Sequence, residues 1–166
     1  MQIPIFTFSL ALVKDGKPIV GVANDPFMNR LFFAEFGQGA FLNGKKIKVN
    51  RRGLKNSAIS WESLSARPNL RKLTGALPFA LLSYVYGAVL VACGELSAAF
   101  YPWYHAHDAA AVKIIVEEAG GKVTDMRGKD QRYDREVNGC LASNGVVHAR
   151  LLAIIKKHYK GRLKKS

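Results

Sequence analysis

Two glycine-bearing turns near the N-terminus constrain this chain more than any other feature. Lys14-Asp15-Gly16-Lys17 separates the apolar run Ile3 to Val13 from Pro18 to Ala23, and an Asp-Gly pair meets the positive φ that a two-residue hairpin turn demands. Asn43-Gly44 joins Ala40-Phe41-Leu42 to Ile47-Lys48-Val49 in the same way. Between them Asn24-Asp25-Pro26 turns the chain, Leu31 to Phe36 runs extended and Gly37-Gln38-Gly39 breaks the run. The first fifty residues therefore read as an antiparallel meander.

A polar stretch from Asn50 to Ser57 leads to a short strand over Ala58 to Trp61, then to an irregular connection bearing Ser, Arg and Pro through Lys72. From Leu73 to Gly94 there are 22 consecutive residues without a charge, long enough to cross a bilayer. Arg67, Arg71 and Lys72 precede the run, as they would on the cytoplasmic side of a span. Pro78, Ser83, Tyr84, Tyr86, Gly87 and Cys93 interrupt it, however, and soluble-domain patterns flank it on both sides. The preferred reading is a buried helix that starts or breaks near Pro78.

After Tyr101 to Asp108 the chain turns helical from Ala109 to Ala119. Val112, Ile115, Val116 and Ala119 form one apolar stripe, with Lys113 and Glu117 paired on the opposite side. Gly120-Gly121 ends that helix through a left-handed turn. Lys122 to Asp125 reads as a strand, Arg127-Gly128-Lys129 as a turn, and Cys140 to Ser143 as a short buried strand, while Val147, Leu151, Ile154 and Ile155 mark the last helix. The expected class is α/β: a mixed, largely antiparallel sheet followed by an alternating α and β half, in a single domain over residues 1–166.

Of the 166 residues 49% are apolar and 22% charged, a balance that excludes a disordered chain. Cys93 and Cys140 have no Cys-x-x-Cys partner, so neither a disulfide framework nor a zinc site of ordinary spacing is indicated. No charged n-region precedes Ile3, which argues against a signal peptide and, with the free thiols, for a cytoplasmic setting. The net charge is +13, and it favours anionic partners without choosing among them. Six cations sit in a basic C-terminal tail over 156–166. That tail reads as a solvated helix end complementing its dipole in preference to a nucleic-acid patch, because no aromatics alternate with the cations. Nucleic acid and membrane are accordingly disfavoured as partners.

Asp108 has two readings. It lies in the first turn of the Ala109 to Ala119 helix, where a carboxylate caps or stabilises the helix dipole. Alternatively, small Ala109, Ala110 and Ala111 would let the helix start approach a ligand, and a carboxylate is the hard donor that Mg²⁺ takes. His105 and His107 lack a third His or Cys nearby and read more readily as hydrogen-bonded or solvent-facing than as metal ligands. The chain contains neither a phosphate-cradling Gly-x-x-x-x-Gly-Lys-Ser/Thr motif nor a Gly-x-Ser-x-Gly nucleophile elbow. Glu117 and Glu118 stand about 100° apart on a helix and cannot share one cleft. On the residues alone, this is a basic α/β domain with one candidate metal carboxylate.

Longer blocks carry a resemblance. Gly21-Val22-Ala23-Asn24-Asp25-Pro26-Phe27, Leu31 to Glu35, and Gly37-Gln38-Gly39-Ala40-Phe41-Leu42-Asn43-Gly44 continuing to Val49 look like the central hairpins of the inositol monophosphatase family. His107-Asp108-Ala109-Ala110-Ala111, running into Ile114-Ile115-Val116-Glu117-Glu118-Ala119-Gly120-Gly121, resembles that family's second signature. Their order and spacing match the family's C-terminal part across nearly the whole chain.

The resemblance implies a layered sandwich of the sugar-phosphatase type and a Mg²⁺-dependent phosphomonoesterase acting on a small phosphate ester, with carboxylate-held ions stabilising the attacking and leaving oxygens. It implies Asp108 as a metal ligand. The family's other ligands belong to an upstream Glu and an Asp-Pro-x-Asp-Gly-Thr segment, neither of which occurs here, so the chain is expected to be a truncated member, weakly active or inactive alone, with no catalytic residue assigned. The resemblance further suggests substrate contacts from Ser83 and Tyr84, within Leu82-Ser83-Tyr84, and from Tyr101, His105 and His107. Thr74-Gly75-Ala76 competes with Leu82-Ser83-Tyr84 for the family's Gly-Ser-Ala-like segment. His107 replaces the usual Trp, and Tyr101 stands where inositol-cleaving members often have Glu, leaving the phosphate ester open. A homo-oligomer or a complementing N-terminal half is expected to cover the exposed sheet. The competing reading is a non-catalytic basic interaction module for an anionic polymer or for that complementing half.

Overall fold

In a computed structural model that describes residues 6–61, 67–79, 81, 83–102 and 105–158, the first fifty residues form the meander that the turns predict. Strands β1 (Phe8–Lys14), β2 (Lys17–Asp25), β3 (Arg30–Glu35), β4 (Gly39–Leu42) and β5 (Lys45–Ile47) pair antiparallel in sequence order. Asp15 and Gly16 take φ of 54° and 80°, and Asn43 and Gly44 take 48° and 77°, the double positive φ of a type I′ turn. The part of the expected first strand over residues 1–5 lies outside the described residues.

A second five-stranded sheet has the order β7-β6-β8-β10-β9. Strand β6 (Ala58–Trp61) runs parallel to β7 (Leu77–Phe79) and β8 (Ala98–Tyr101), whereas β10 (Cys140–Ser143) runs antiparallel to β8 and β9 (Lys122–Thr124). Several elements depart from the sequence reading, β7 within the uncharged run among them. The connection before Leu73 contains helix α1 (Arg67–Thr74), whose Pro68 occupies the first turn, where a missing N–H costs nothing. Strand β8 is a run of four buried residues, too short for its periodicity to separate strand from helix.

The long uncharged run is divided. It holds the end of α1, strand β7 with Pro78 inside it, and the buried helix α2 (Tyr84–Ala92). Among the described residues no helix is long and apolar enough to cross a membrane. Helix α3 (Ala106–Glu118) begins three residues before the expected start, and α4 (His148–His158) ends the described chain. Lys156 and Lys157 of the basic tail are exposed on α4, and 159–166 lie outside the described residues.

These elements stack as sheet, helices, sheet, helices. The inner face of the meander contributes Ala23, Phe32, Ala34 and Ala40 to one apolar cluster with α2, α3 and one face of the second sheet, through Ala99, Tyr101, Cys140 and Ala142. The opposite face of that sheet, through Ile59, Trp61, Phe100 and Leu141, packs with Leu70 of α1 and Leu151 and Ile155 of α4. The outer face of the meander is open. Leu10, Val22, Phe33 and Phe41 align in register across four strands there, and Phe8, Leu10 and Leu12 on β1 are each more than half exposed.

Helix α3 lies close against β2. A Cβ on Gly21 would stand 2.3 Å from Ile114 Cγ2 and 2.9 Å from the Ala111 carbonyl oxygen, so this approach requires glycine. Lys113 is not on a solvent face as the helical wheel suggests. Its ammonium is mostly buried and bridges Glu117 at 2.8 Å and Asp130 at 2.7 Å, because the chain after β9 folds over that side of α3.

His148, at the start of α4, is buried between two hydroxyls: Nδ1 is 2.8 Å from Ser143 Oγ and Nε2 3.0 Å from Thr124 Oγ1. Since the Thr124 hydroxyl donates to the Asp125 carbonyl at 2.9 Å, it accepts from Nε2–H, and Ser143 donates to Nδ1. Both nitrogens of the neutral ring are thereby satisfied. Burial, with the nearby Lys122 charge, pulls its pKa down to about 4.

Gly21→Ala is expected to destabilise the protein by about 1–3 kcal/mol in urea unfolding, through overpacking against α3. Gly53→Ala, where no atom lies within 4 Å of the added Cβ, should stay within about 0.5 kcal/mol of the parent. The His148 effect has a definite sign: a histidine depressed on folding stabilises fully above its unfolded pKa near 6.5, and that stability is lost as pH falls toward 4. Urea midpoints should therefore drop from pH 7 to pH 5 by the equivalent of about 2 kcal/mol, a slope that His148→Gln removes.

Candidate functional site

Strand β1 organises the site. Thr7, just before β1, and Ser9 within it, two apart and hence on one face, point inward with Ala11 and Val13. The Thr7 hydroxyl lies 2.9 Å from Ser83 Oγ, and Ser9 Oγ donates to Asp108 Oδ1 at 3.4 Å. Ser83 is the N-cap of α2: its backbone is extended, and its side chain accepts the Tyr86 N–H at 3.3 Å. Asp108 is the third residue of α3. One strand thus holds together the N-termini of two helices, each carrying the partial positive charge of its unpaired N–H groups.

Asp108 is not a capping residue. The N-cap of α3 is His105, which makes no side-chain cap bond, and the Asp108 carboxylate is instead aimed at Ser9, with 27% of its side chain exposed. His107 Nε2 lies 3.6 Å from Asp108 Oδ2 and is 77% exposed. The rings of His105 and His107 stack at 5.3 Å and 3°, forming an open imidazole rim at the mouth of the helix.

Of the two tyrosines with expected substrate contacts, Tyr84 is half-buried in the first turn of α2 and meets Tyr101 edge-on at 5.0 Å. Tyr101 is fully buried. Its hydroxyl is 3.1 Å from Ser60 Oγ and crosses α2 at Gly87, where a Cβ would stand 1.8 Å from it. It braces Tyr84 from below and presents no surface to a ligand. Ser83, Tyr84, His105, His107 and Asp108 gather at the two helix N-termini. Leu82 lies outside the described residues. Thr74 and Ala76, from the competing segment, are buried at and just after the end of α1, Ala76 in the cluster on the far side of the second sheet.

Sequence reasoning missed Thr7 and Ser9. Their signal is the pair of hydroxyls at alternate positions of an otherwise apolar strand, on the face that also carries Ala11 and Val13.

The donor set limits what the site can hold. Among the described residues no group of three or more His, Cys, Asp or Glu side chains is arranged to hold a metal ion. Other buried carboxylates are committed to turns: Asp25 Oδ1 accepts from the Phe27 and Met28 N–H groups, and Asp125 Oδ1 from those of Arg127 and Lys129. Asp108 with the Ser9 hydroxyl therefore does not make a complete Mg²⁺ site, which needs further oxygen donors. Thiol chemistry is also disfavoured, since burial raises Cys93 to about 11 and Cys140 to about 12.

Residues 1–160 match the inositol monophosphatase family. The chain is 31% identical over 162 residues to the fructose-1,6-bisphosphatase/inositol-1-monophosphatase of Thermotoga maritima, covering 93% of itself and 62% of that protein. It is 31% identical over 163 residues to the histidinol-phosphatase of Mycobacterium tuberculosis, covering 90% of itself and again 62% of the relative. Its fold superposes on the Thermotoga maritima IMPase with a TM-score of 0.86 at 28% identity, over 96% of this chain and 64% of that one. The chain thus spans less than two thirds of the length of these relatives.

Ser83→Ala removes both the α2 cap and the bond to Thr7, and it is expected to cost about 1 kcal/mol in urea unfolding. A double-mutant cycle with Thr7→Ala should show a coupling of at least about 0.5 kcal/mol.

Proposed function

The chain belongs to the inositol monophosphatase family, and on that premise we propose that it works as part of a Mg²⁺-dependent phosphomonoesterase that hydrolyses a small sugar or polyol phosphate. The observation that carries this reading is the pair of contacts from β1 and the residue before it, Ser9 to Asp108 and Thr7 to Ser83, which sets two helix N-termini around one carboxylate. A phosphate dianion is stabilised at such N-termini. Asp108 would supply one oxygen to Mg²⁺, with the remaining donors coming from outside the described residues. When bound, the ion neutralises charge on the phosphoryl group and activates water.

Within this reading Ser9 orients the Asp108 carboxylate, Ser83 holds the first turn of α2 in place for the phosphate, and Tyr84 lines the substrate side with Tyr101 supporting it. His105 and His107 offer an exposed, hydrogen-bonding rim to the hydroxyl-bearing part of the ester. The names of the relatives, with inositol, fructose and histidinol phosphates among them, fit a pocket whose specificity resides in such a rim. The free thiols, Cys140 buried and Cys93 half-buried, support a cytoplasmic setting.

The open face of the meander calls for a partner. A row of Leu10, Val22, Phe33 and Phe41 flanked by Phe8 and Leu12 forms a contiguous apolar patch, a feature that marks an interaction surface. We infer that it is covered by polypeptide of the kind the relatives carry outside the matched region, which would also bring the missing carboxylates.

With Mg²⁺, the chain alone is expected to release little or no phosphate from inositol 1-phosphate, fructose 1,6-bisphosphate or an aryl phosphate. Co-expression with the unmatched segment of the Thermotoga maritima relative should raise release by about 100-fold or more, and Asp108→Asn should return it to background. Vigorous hydrolysis that survives Asp108→Asn would overturn the assignment of Asp108.

A further inference from the structure

A cavity of about 610 Å³ opens at the opposite end of α3 from Asp108, between the β5 edge of the meander and the turn from β10 to α4. Lys46, Lys48 and Arg51 line one side, and Glu118, Gly120 and Gly145 are among the residues of the other. We propose that this cavity is a second anion site that binds a small organic polyphosphate, such as a nucleoside di- or triphosphate, apart from the candidate active site. Asp108 and Glu118 are ten residues apart on one helix, about 15 Å along its axis. β1 and β5 are four strand spacings apart, about 19 Å across the sheet.

Charge supports the assignment. Lys46, Lys48 and Arg51 are exposed and make no ion pair among the described residues. The single carboxylate in the lining, Glu118, is already committed: its two oxygens accept the N–H groups of Gly37 at 2.9 Å and Gly39 at 2.8 Å. Three of the carbonyls at the C-terminal end of α3, which would repel an anion, are also occupied. Val116 and Glu117 accept from Gly121 and Gly120, and Ala119 accepts from Val49 at 3.0 Å. Three cations therefore face a cavity with a net positive lining, in which the one carboxylate is held by backbone N–H groups.

Rigidity supports it as well. The segment bearing Lys48 and Arg51 has no regular secondary structure, yet Asn50 pins it from every side. Its amide donates to the Gly94 and Leu96 carbonyls, and its carbonyl oxygen accepts from Arg52 N–H, Ser97 Oγ and Asn144 Nδ2. Asn144 Nδ2 also reaches the Arg52 carbonyl at 2.9 Å. The cations thus rise from a backbone ordered before any ligand arrives, which lowers the entropic cost of binding. Ile47, Val49, Ala119 and Val146 supply apolar wall to the same cavity, suited to the organic portion of the ligand, and its volume lies within the range of small-molecule sites.

The test uses ATP and inorganic pyrophosphate with EDTA present, followed by calorimetry and by amide chemical shifts. Saturable one-to-one binding is expected, with the amides of Gly39, Gly120 and Gly145 shifting together. The triple substitution Lys46→Ala, Lys48→Ala, Arg51→Ala should weaken ATP binding by about 30-fold or more. Removing the same charge elsewhere, with Lys14→Ala, Lys17→Ala and Arg150→Ala, should change it by less than about threefold. Shifts centred on Ser83 to Val85, equal losses from both triple variants, or tighter binding of a short single-stranded RNA than of ATP would each overturn the proposal.

Discussion

Everything in this fold is arranged around the close seating of α3 between two sheets. The helix reaches β2 at Gly21, where no side chain fits between it and Ala111 or Ile114. Its own first turns offer Ala109, Ala110 and Ala111, all buried. Small residues on both partners bring the helix axis near enough for its opposite side to pack on α2 and on Val123 and Ala142 of the second sheet. A helix held further out would leave a gap along that boundary, and close-packed interiors tolerate such gaps poorly. The site at the helix N-terminus inherits its geometry from this seating.

Strand β1 performs two tasks on two faces. Inward, Thr7 and Ser9 tie down the starts of α2 and α3. Outward, Phe8, Leu10 and Leu12 stand exposed. The two-residue period of a strand makes both possible at once, and it couples them: whatever covers the apolar face also steadies the strand that positions Asp108. In the proposed phosphatase that coupling would link assembly to activity, because the strand that carries the open face also carries Ser9, the partner of Asp108.

Charge is distributed with a similar economy. Buried or partly buried carboxylates are each answered locally, Asp25 and Asp125 by turn N–H groups, Glu118 by Gly37 and Gly39, and Glu117 by Lys113. Among the described residues, Asp108 differs in having only a hydroxyl and an exposed imidazole beside it. The excess of cations is left on the surface, where Lys46, Lys48 and Arg51 come together around a cavity that the linear sequence disperses over strand and loop.

The sequence by itself determined the local geometry. Asp15-Gly16 and Asn43-Gly44 set hairpins because their φ values are accessible to few other pairs. Cys140 to Ser143 and Ala58 to Trp61 emerged as strands with the bounds read from their apolar runs, and the family was legible in the blocks around Gly21 and Asp108. Only the tertiary structure decided what depends on contacts distant in sequence. It made Ser9, ninety-nine residues away, the partner of Asp108, and it buried Tyr101 beneath Tyr84 instead of leaving it at the surface. It also turned Lys113 from a surface cation into a buried bridge. Hairpin turns and helix stripes are governed by neighbours within a few residues. The environment of a side chain is governed by which elements pack against it, and that follows from the closure of the whole core.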